Sequence, residues 1–382
     1  MTGYACPRVL IAHCIIGEFP LHLAVQIKLL RPPTRIEFTN EISACESVQT
    51  QAAHCHPRSN RSDKPSPNNP IRSYPMPRII DRLRNLPQYL LPQKSITRSA
   101  YRLTRIRTPW FKNAFIRWFC RQFRVDMHEA AQPDCQAYEH FNAFFTRALK
   151  AGVRPIDPAE NTAVCPVDGT VSQLGLIDDD AIFQAKGQQY SLTQLLGGDA
   201  NHAKLFRNGS FATLYLSPRD YHRIHMPLAG QLREMVHIPG KLFSVSPLTT
   251  RVVPDLFARN ERVVTLFDSP AGPMALILVG AINVASIETV WAGVITPPLG
   301  HSIRRWDYPD SGPDCIQLAK GAEMGRFNMG STVIVLFGPE AVDWVPTLQA
   351  SSTVRLGQAL AQIRPTAAGS KKDMEKHDES PR

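Results

Sequence analysis

A glycine–serine pair stands directly before a run of strand-forming residues near the C-terminus. Gly330 and Ser331 are followed by Thr332 and by the β-branched, apolar run Val333–Phe337. Residues of these types favour a pleated and buried strand, so we expect Ser331 at the start of a core strand, with its backbone held rigidly. A serine in that position is placed for nucleophilic chemistry. The simpler alternative is a tight turn that leads into a strand, which Gly-Ser-Thr also fits.

Polar residues that could assist such a serine occur in three other segments. Asp168 lies in 166–170, His222 and His225 lie in 217–227, and one Lys, one Glu, one Arg and two glycines fall in 320–327. Each segment has a simpler interpretation. Asp-Gly is a common hairpin turn, Ser-Pro-Arg-Asp suits a type I turn, and His-x-x-His with no helix and no nearby acid is a weak zinc signal. We therefore predict no metal.

A serine hydrolase is one alternative function for Ser331. Such enzymes of the α/β type carry Gly-x-Ser-x-Gly at a turn from a strand into a helix. The chain has no Gly-x-Ser-x-Gly, and Ser331 leads into a predicted strand. The pattern therefore disfavours this alternative without removing it.

The composition is that of a globular protein. With 382 residues and 43% apolar residues, the chain can bury one large domain or two smaller ones. No Cys-x-x-Cys pair is present, so neither a zinc knuckle nor a disulfide framework is indicated, and we predict a reducing compartment. The cysteines are residues 6, 14, 45, 55, 120, 135, 165 and 315.

The positive charge is concentrated in residues 76–125. This region has twelve Lys or Arg and the single acid Asp81, a charge of +11 against +10 for the whole chain. Basic amphipathic helices of this kind suit an anionic membrane surface, where each basic residue contributes about 1 kcal/mol. Nucleic acid is a competing partner, and core-facing helices with a solvated basic face fit the periodicity equally well. The two apolar faces comprise Ile79, Ile80, Leu83, Leu86 and Leu90, and Phe111, Phe115, Trp118 and Phe119.

Beyond this region the pattern changes from helical to strand-like. A helical pattern continues over 136–149 and is closed by Gly152 and Pro155. Short β-branched runs follow, and no apolar stretch approaches the eighteen residues of a membrane span. We therefore predict an α+β fold, with amphipathic N-terminal helices before a β-rich, mainly antiparallel catalytic domain. The predicted strands are 170–174, 211–216, 262–267, 274–279, 287–294 and 332–337.

The two ends of the chain differ from its body. Residues 1–75 contain a Pro-, Ser-, Asn- and Arg-rich stretch, and the tail from Pro365 is polar. Both compositions are typical of disorder, and translation starting at Met76 is an alternative for the first. The predicted organisation is a dispensable extension at 1–75, a basic membrane-associating region at 76–150, a catalytic domain at 151–364 and a disordered tail at 365–382.

Six longer motifs together resemble the bacterial phosphatidylserine decarboxylases of the prokaryotic type I. The resemblance runs from about Met76 to about Leu356, in the order and spacing of that family. Two features depart from it: Asn328 and Met329 replace a basic residue and a leucine, and 1–75 has no counterpart. The motifs are PVDGTVSQLG (166–175), YLSPRDYHRIHMP (215–227), LFSVSP (242–247), LFARNERVV (256–264), SIETVWAG (286–293) and KGAEMGRFNMGSTVIVLF (320–337).

The resemblance implies a proenzyme that cuts itself between Gly330 and Ser331. Ser331 Oγ would attack the Gly330 carbonyl, with His225 as the base and Asp168 as the group that orients its imidazole. β-Elimination of the resulting ester, followed by hydrolysis with loss of ammonia, would convert Ser331 into a pyruvoyl group. No external cofactor and no metal is then needed.

The resemblance also implies the reaction and its partners. The pyruvoyl ketone would form a Schiff base with phosphatidylserine, CO₂ would leave, and His222 would protonate the carbanion to give phosphatidylethanolamine. The expected assembly is a large β chain with a small α chain, further dimerised, peripheral on the cytoplasmic face of the cell membrane and without nucleic acid. The predicted membrane-binding residues are Arg102, Arg105, Arg107, Trp110, Phe111, Phe115 and Trp118.

Two functions of other classes stay open from sequence alone. One is a peripheral membrane or nucleic-acid binding protein that works through its basic helices, and the other is a hydrolase that uses an intact Ser331. Only the decarboxylase interpretation requires the purified chain to appear as two pieces.

Overall fold

A nine-stranded antiparallel sheet forms the centre of the fold. The computed structural model describes residues 85–185, 187–282, 286–296, 301–329 and 332–365, which belong to one compact unit. Gly330, Ser331, the extension 1–75 and the tail after residue 365 lie outside these described residues. Within them the helices are α1 (Pro87–Leu90), α2 (Gln93–Leu103), α3 (Pro109–Phe123), α4 (Phe141–Phe145), α5 (Leu192–Leu195), α6 (Ala200–Phe206), α7 (Pro247–Thr250) and α8 (Leu256–Arg259).

The strands make up four sheets in the described part of the chain. The order in the central nine-stranded sheet is β12-β7-β8-β9-β15-β5-β2-β17, with β13 also paired to β7. The smaller sheets have the orders β11-β10-β14-β6, β1-β18-β16 and β3-β4. The strands are β1 (Thr162–Val164), β2 (Gly169–Leu176), β3 (Ala181–Ala185), β4 (Gln188–Ser191), β5 (Ser210–Tyr215), β6 (Arg223–His225), β7 (Gly230–Ile238), β8 (Arg262–Ser269), β9 (Gly272–Val279), β10 (Ile287–Thr289), β11 (Gly293–Val294), β12 (Arg304–Asp307), β13 (Gln317–Leu318), β14 (Glu323–Phe327), β15 (Thr332–Phe337), β16 (Val342–Trp344), β17 (Thr353–Val354) and β18 (Ala359–Ile363).

Strand β15 lies in the middle of the central sheet, between β9 and β5. Val333 and Val335 face one hydrophobic core, whereas Ile334 and Leu336 face the other. Successive side chains of a strand point to opposite faces, so a strand buried on both faces is apolar throughout. This burial accounts for the unbroken apolar run after Ser331, and it confirms the predicted α+β class with a β-rich body.

The predicted strands are confirmed with one correction. The stretch 287–294 was expected as a single strand, but it forms the hairpin of β10 and β11. Gly293 has a φ of +65°, a backbone conformation that glycine adopts without strain, and it starts the second strand. The chain therefore reverses at a point where the apolar composition suggested continuity.

The N-terminal helices pack through an aromatic cluster. Helix α3 begins with a proline at its first turn, where the missing N–H costs nothing. Its Ile116 and Phe119 are buried against Phe141, Phe144 and Phe145. The predicted amphipathic stripe therefore contributes partly to a core. The helix expected over 136–149 was too long: only α4 (Phe141–Phe145) is helical, because the chain before it forms turns.

Side chains of the first helices attach them to the body of the protein. The amide oxygen of Gln93 accepts a hydrogen bond from the backbone N of Leu242 over 2.8 Å, and that of Gln88 accepts one from Ser244 N over 2.9 Å. Among the described residues, none of the helices is long and apolar enough to cross a bilayer.

Candidate active site

Three strands place the start of β15 beside the lead-in to β2. Thr332 pairs with Tyr215 at the end of β5, and Tyr215 pairs in turn with Thr170 near the start of β2. Asp168 directly precedes β2. A β-carbon on Gly169 would lie 2.3 Å from the carbonyl oxygen of Tyr215, so only glycine allows this close approach. The described residue after the Gly330–Ser331 pair and Asp168 thus lie at the same end of the central sheet.

The two histidines reach this end of the sheet on strand β6 and the turn before it. The backbone N of His225 donates to the carbonyl of Pro166 over 2.9 Å, which places it beside the segment that carries Asp168. The carbonyl of His222 accepts from the backbone N of Phe327 over 3.0 Å, at the end of β14. His225 therefore lies beside the segment that carries Asp168, and His222 beside the segment that leads to the predicted cleavage position.

The imidazole of His225 is oriented by a backbone carbonyl. Its Nδ1 donates to the carbonyl oxygen of Gly321 over 2.8 Å, since a carbonyl can only accept. The lone pair is then on Nε2, which lies 3.2 Å from the hydroxyl of Tyr221. Burial lowers the pKa of His225, so the ring is a neutral proton acceptor at neutral pH. Gly321 has a φ of +76°, and a β-carbon there would lie 2.8 Å from Ile156.

The carboxylate of Asp168 is held by an arginine that sequence analysis did not identify. Arg154 donates to both carboxylate oxygens, with distances of 2.9 Å and 3.0 Å from Nε and 2.6 Å from Nη2. The backbone N of Leu356 donates to Oδ1 over 2.9 Å. Arg154 also donates to Glu129 over 2.6 Å. Two carboxylates near the guanidinium raise the pKa of Arg154 further above its ordinary value.

No hydrogen bond joins Asp168 to the imidazole of His225 among the described residues. The position expected for the carboxylate is taken by the Gly321 carbonyl, because Asp168 uses its oxygens on Arg154 and Leu356. The negative charge of Asp168 still favours the protonated form of His225, in the direction that raises its pKa. The orienting role of Asp168 therefore stays a prediction.

His222 lies in a different environment from His225. It is fully buried, and its ring lies 4.0 Å from the ring of Phe145 between centroids. Nδ1 donates to the carbonyl oxygen of Asp220 over 2.8 Å, whereas Nε2 has no hydrogen-bond partner among the described residues. Burial, with a smaller contribution from Arg147, lowers the pKa of His222 to about 3. The ring is therefore neutral and keeps an unused lone pair.

The backbone immediately before the predicted cleavage position is strained. Met329 has a φ of +129°, a conformation that costs a residue with a side chain on the order of 1–3 kcal/mol. Asn328 is fixed at the same time by hydrogen bonds to Asn142 over 2.9 Å and to Ser286 Oγ over 3.0 Å. The two residues that depart from the resembled family therefore form an anchored and strained lead-in to Gly330.

The predicted membrane-binding residues occupy mixed environments. Trp110 is 75% exposed and Trp118 is 38% exposed, whereas Phe111 and Phe115 are half-buried. Arg102 and Arg107 are exposed, and Arg107 forms an ion pair with Glu139. Arg105 lies over the ring of Tyr101 at 3.5 Å. These positions leave Trp110, Trp118, Arg102 and Arg107 as the residues best placed to meet an external surface.

Four residues of the site were missed from the sequence: Arg147, Arg154, Tyr221 and Gly321. Tyr221 and Gly321 lie within the polar segments that drew attention to the histidines, but a backbone carbonyl leaves no mark in a side-chain pattern. Within the described residues, no group of three or more His, Cys, Asp or Glu could hold a metal ion.

The buried His222 and the half-buried His225 are both neutral and lie beside the segments that lead into strands β15 and β2, so this end of the sheet defines a site for proton transfer. Comparison with known proteins agrees with this class. A family model described as phosphatidylserine decarboxylase matches residues 141–362, and a second described as PSD matches 83–124.

Relatives of high identity match almost over their full lengths, and each is named a phosphatidylserine decarboxylase proenzyme. The protein from Ectopseudomonas mendocina is 59% identical over 284 residues, which are 74% of this chain and 99% of the relative. The protein from Pseudomonas fluorescens is 57% identical over 286 residues, 75% of this chain and 99% of the relative. The protein from Azotobacter vinelandii is 57% identical over 282 residues, which are 74% of this chain and 98% of the relative. The chain belongs to the phosphatidylserine decarboxylase family.

Proposed function

We propose that the chain cuts itself between Gly330 and Ser331 and that the processed enzyme converts phosphatidylserine to phosphatidylethanolamine and CO₂. The observation that supports this most directly is the fully buried, neutral His222, whose carbonyl is bonded to Phe327 at the end of β14, two residues before the strained backbone of Met329. Family membership supports the same reaction, because the relatives carry the name of decarboxylase proenzymes.

His225 is the base for self-cleavage in this proposal. The Gly321 carbonyl holds the proton on Nδ1, so Nε2 is free to accept the hydroxyl proton of Ser331 as Oγ attacks the Gly330 carbonyl. The same nitrogen then returns the proton to the departing amine of residue 331, and an ester remains. Tyr221 donates to Nε2 over 3.2 Å before the reaction, and the hydroxyl of Ser331 must replace it as the donor. Asp168 stabilises the imidazolium through its charge.

A pyruvoyl group at residue 331 fits the surroundings that the structure describes. Thr332, the next residue, has a buried hydroxyl with no hydrogen-bond partner among the described residues. This hydroxyl can donate to one of the two adjacent carbonyls of such a group, whereas the unused lone pair of His222 Nε2 can only accept a proton. When present, the group supplies a ketone that reacts with the substrate amine and withdraws electrons as CO₂ leaves.

His222 is the residue that we assign to proton delivery. With a pKa of about 3 it is neutral before the substrate arrives, so it must first accept a proton at Nε2, and the substrate ammonium, which has to lose one before its nitrogen can attack the ketone, supplies it. An imidazolium of such low pKa gives up its proton readily, and the carbon that has lost CO₂ requires one. Phe145, which covers the ring, limits the access of water to this step.

The remaining assignments concern the membrane and the subunits. The exposed Trp110 and Trp118 on α3, with Arg102 and Arg107 nearby, would meet an anionic bilayer on the cytoplasmic face of the cell membrane. The processed protein would contain a large chain of residues 1–330 and a small chain of residues 331–382, and two such pairs would associate. Domain limits follow the sequence prediction, with the membrane-associating region at 76–150.

A denaturing gel with a ketone trap tests this function. The purified chain should run as two pieces, and phenylhydrazine or borohydride should label the small one. A Ser331→Ala variant should run as one unlabelled piece without decarboxylase activity. An intact wild-type chain that hydrolyses esters, or a cut and active Ser331→Ala variant, would contradict the proposal.

A further inference from the structure

Arg147 is a buried cation without a carboxylate partner. Its exposed fraction is 4%, and it forms no ion pair within the described residues. Nη2 donates to the carbonyl of Arg219 over 3.2 Å, while Nε and Nη1 have no hydrogen-bond partner there. The guanidinium also lies 5.6 Å from the ring of Phe144, a weak compensation. Burying an unpaired charge costs several kcal/mol, so this arrangement requires a reason.

The two carboxylates whose charge acts on Arg147 do not pair with it. Asp168 and Glu129 both favour its charged form from a distance, but both are bonded to Arg154. Burial dominates and lowers the pKa of Arg147 from its ordinary value, although the group stays charged at neutral pH. Two guanidinium nitrogens, Nε and Nη1, are therefore unsatisfied beside a site that must accept an anionic lipid.

The position of Arg147 connects it to the reacting end of the protein. It lines a cleft of about 210 Å³ together with Asp168, Arg219, Asp220 and Tyr221. Asp220 and Tyr221 directly precede His222 in the chain, and Arg147 is close enough to His222 to lower its pKa. An anion bound at Arg147 would thus lie near the histidine assigned to proton delivery.

We propose that Arg147 binds the phosphodiester of the lipid headgroup. This assignment rests on the proposed decarboxylase function and names the part of the substrate that the cleft recognises. A guanidinium offers two parallel donors that match two phosphate oxygens. The substrate carboxylate is the less suitable ligand, because a cation paired with it would stabilise the charge that must leave during decarboxylation.

Two soluble probes separate the phosphate from the carboxylate. Glycerophosphocholine has a phosphodiester but no carboxylate, and N-acetylserine has a carboxylate but no phosphate. Neither has a primary amine, so neither reacts with a ketone. Their dissociation constants would be measured by NMR titration on the full processed chain and on Arg147→Lys, Arg147→Met and a control, Arg207→Met. Arg207 is a surface residue paired with Asp179.

Arg147→Met should weaken glycerophosphocholine binding about 10-fold or more, the effect of losing charge-assisted hydrogen bonds. Arg147→Lys, which keeps the charge but loses the paired donors, should be intermediate. N-acetylserine binding and the Arg207→Met control should be unchanged. The melting temperature of Arg147→Met without probe should be equal or higher, because an unpaired buried charge has been removed.

Three results would overturn the assignment. The first is that Arg147→Met binds glycerophosphocholine as tightly as the wild type does. The second is that Arg147→Met loses affinity for N-acetylserine alone. The third is a lower melting temperature of Arg147→Met together with weaker binding of both probes, which is the result of a structural role. Self-cleavage and CO₂ release are measured on the same wild-type preparation, so a failure of the decarboxylase function is detected separately from a failure of this site.

Discussion

Arg154 donates hydrogen bonds to both carboxylate oxygens of Asp168, including one of 2.6 Å from Nη2. The exposed fractions of the two side chains are 7% and 10%, so the pair is screened little by water. Asp168 therefore serves the fold as well as the chemistry proposed for it, and changing it affects both.

Asp168→Asn should accumulate uncut chain, because the amide cannot stabilise the imidazolium of His225. It should also reduce the free energy of unfolding by about 1.5–3 kcal/mol, the cost of losing charge-assisted hydrogen bonds, because Arg154 keeps its ion pair with Glu129. Cutting is measured by the rate at which two pieces appear on a gel, and stability by urea unfolding in a Ser331→Ala background. Asp343→Asn, at an exposed pair with Arg364, should cost no more than about 1 kcal/mol. Normal cutting in Asp168→Asn would remove Asp168 from the self-cleavage step.

Substitution of the two histidines should stop the protein at different stages. His225→Ala should leave uncut chain, since no base remains for Ser331. His222→Ala should cut normally and carry a ketone that phenylhydrazine traps, while decarboxylation falls roughly 10²–10⁴-fold, as expected for the loss of one general acid. A gel, ketone labelling and CO₂ release distinguish the stages. Normal turnover in His222→Ala would exclude it from the mechanism, and joint loss of cutting and turnover would indicate a structural role.

The buried His222 also predicts a pH dependence of stability. Its pKa is about 3 in the folded protein and about 6.5 in an unfolded chain, so between these values the unfolded chain binds a proton that the folded chain does not. The free energy of unfolding therefore falls as the pH falls through this window, by up to about 1.4 kcal/mol per pH unit from this residue. Urea unfolding at several pH values should show a shallower fall for His222→Asn than for the wild type. Parallel curves would show that His222 is not held neutral.

Membrane association should depend on Trp110, the more exposed of the two tryptophans of α3. Trp110→Ala, combined with Arg102→Glu and Arg107→Glu, should weaken binding to anionic vesicles, most at low salt, where surface charges are unscreened. Cosedimentation with vesicles measures the effect. Leu176→Ala is the control, because Leu176 is 72% exposed, close to the 75% of Trp110, but lies on strand β2. Equal vesicle binding by all variants would place the membrane-facing surface elsewhere.

The parts of the fold that sequence predicted well are those with local signals. Strand β15 (Thr332–Phe337) was predicted with its observed bounds, because both of its faces are buried and its apolar run is therefore continuous. The hairpin at 287–294 was missed because one glycine, Gly293, decides where that run breaks. The helix over 136–149 was overestimated because Tyr138 belongs to the aromatic cluster without being helical.

The sequence predicted the two histidines of the site, but it did not predict most of the groups that contact them. His222 and His225 stand in a distinctive polar segment, whereas the groups that fix them come from distant parts of the chain. Gly321 lies 96 residues from His225 and contributes only a carbonyl. Arg154 carries no motif of its own, and its pairing with Asp168 depends on the tertiary fold. Such contacts become visible only when the chain is folded.

The most direct test of the central claim is the intact mass of the purified wild-type protein under denaturing conditions. We expect two chains, and the smaller should correspond to the 52 residues 331–382, lighter by one ammonia than the same peptide with serine at its N-terminus. That mass requires cleavage at Gly330–Ser331 and conversion of Ser331 to a pyruvoyl group. A single chain with the mass of all 382 residues, or a small chain that retains an N-terminal serine, would contradict it.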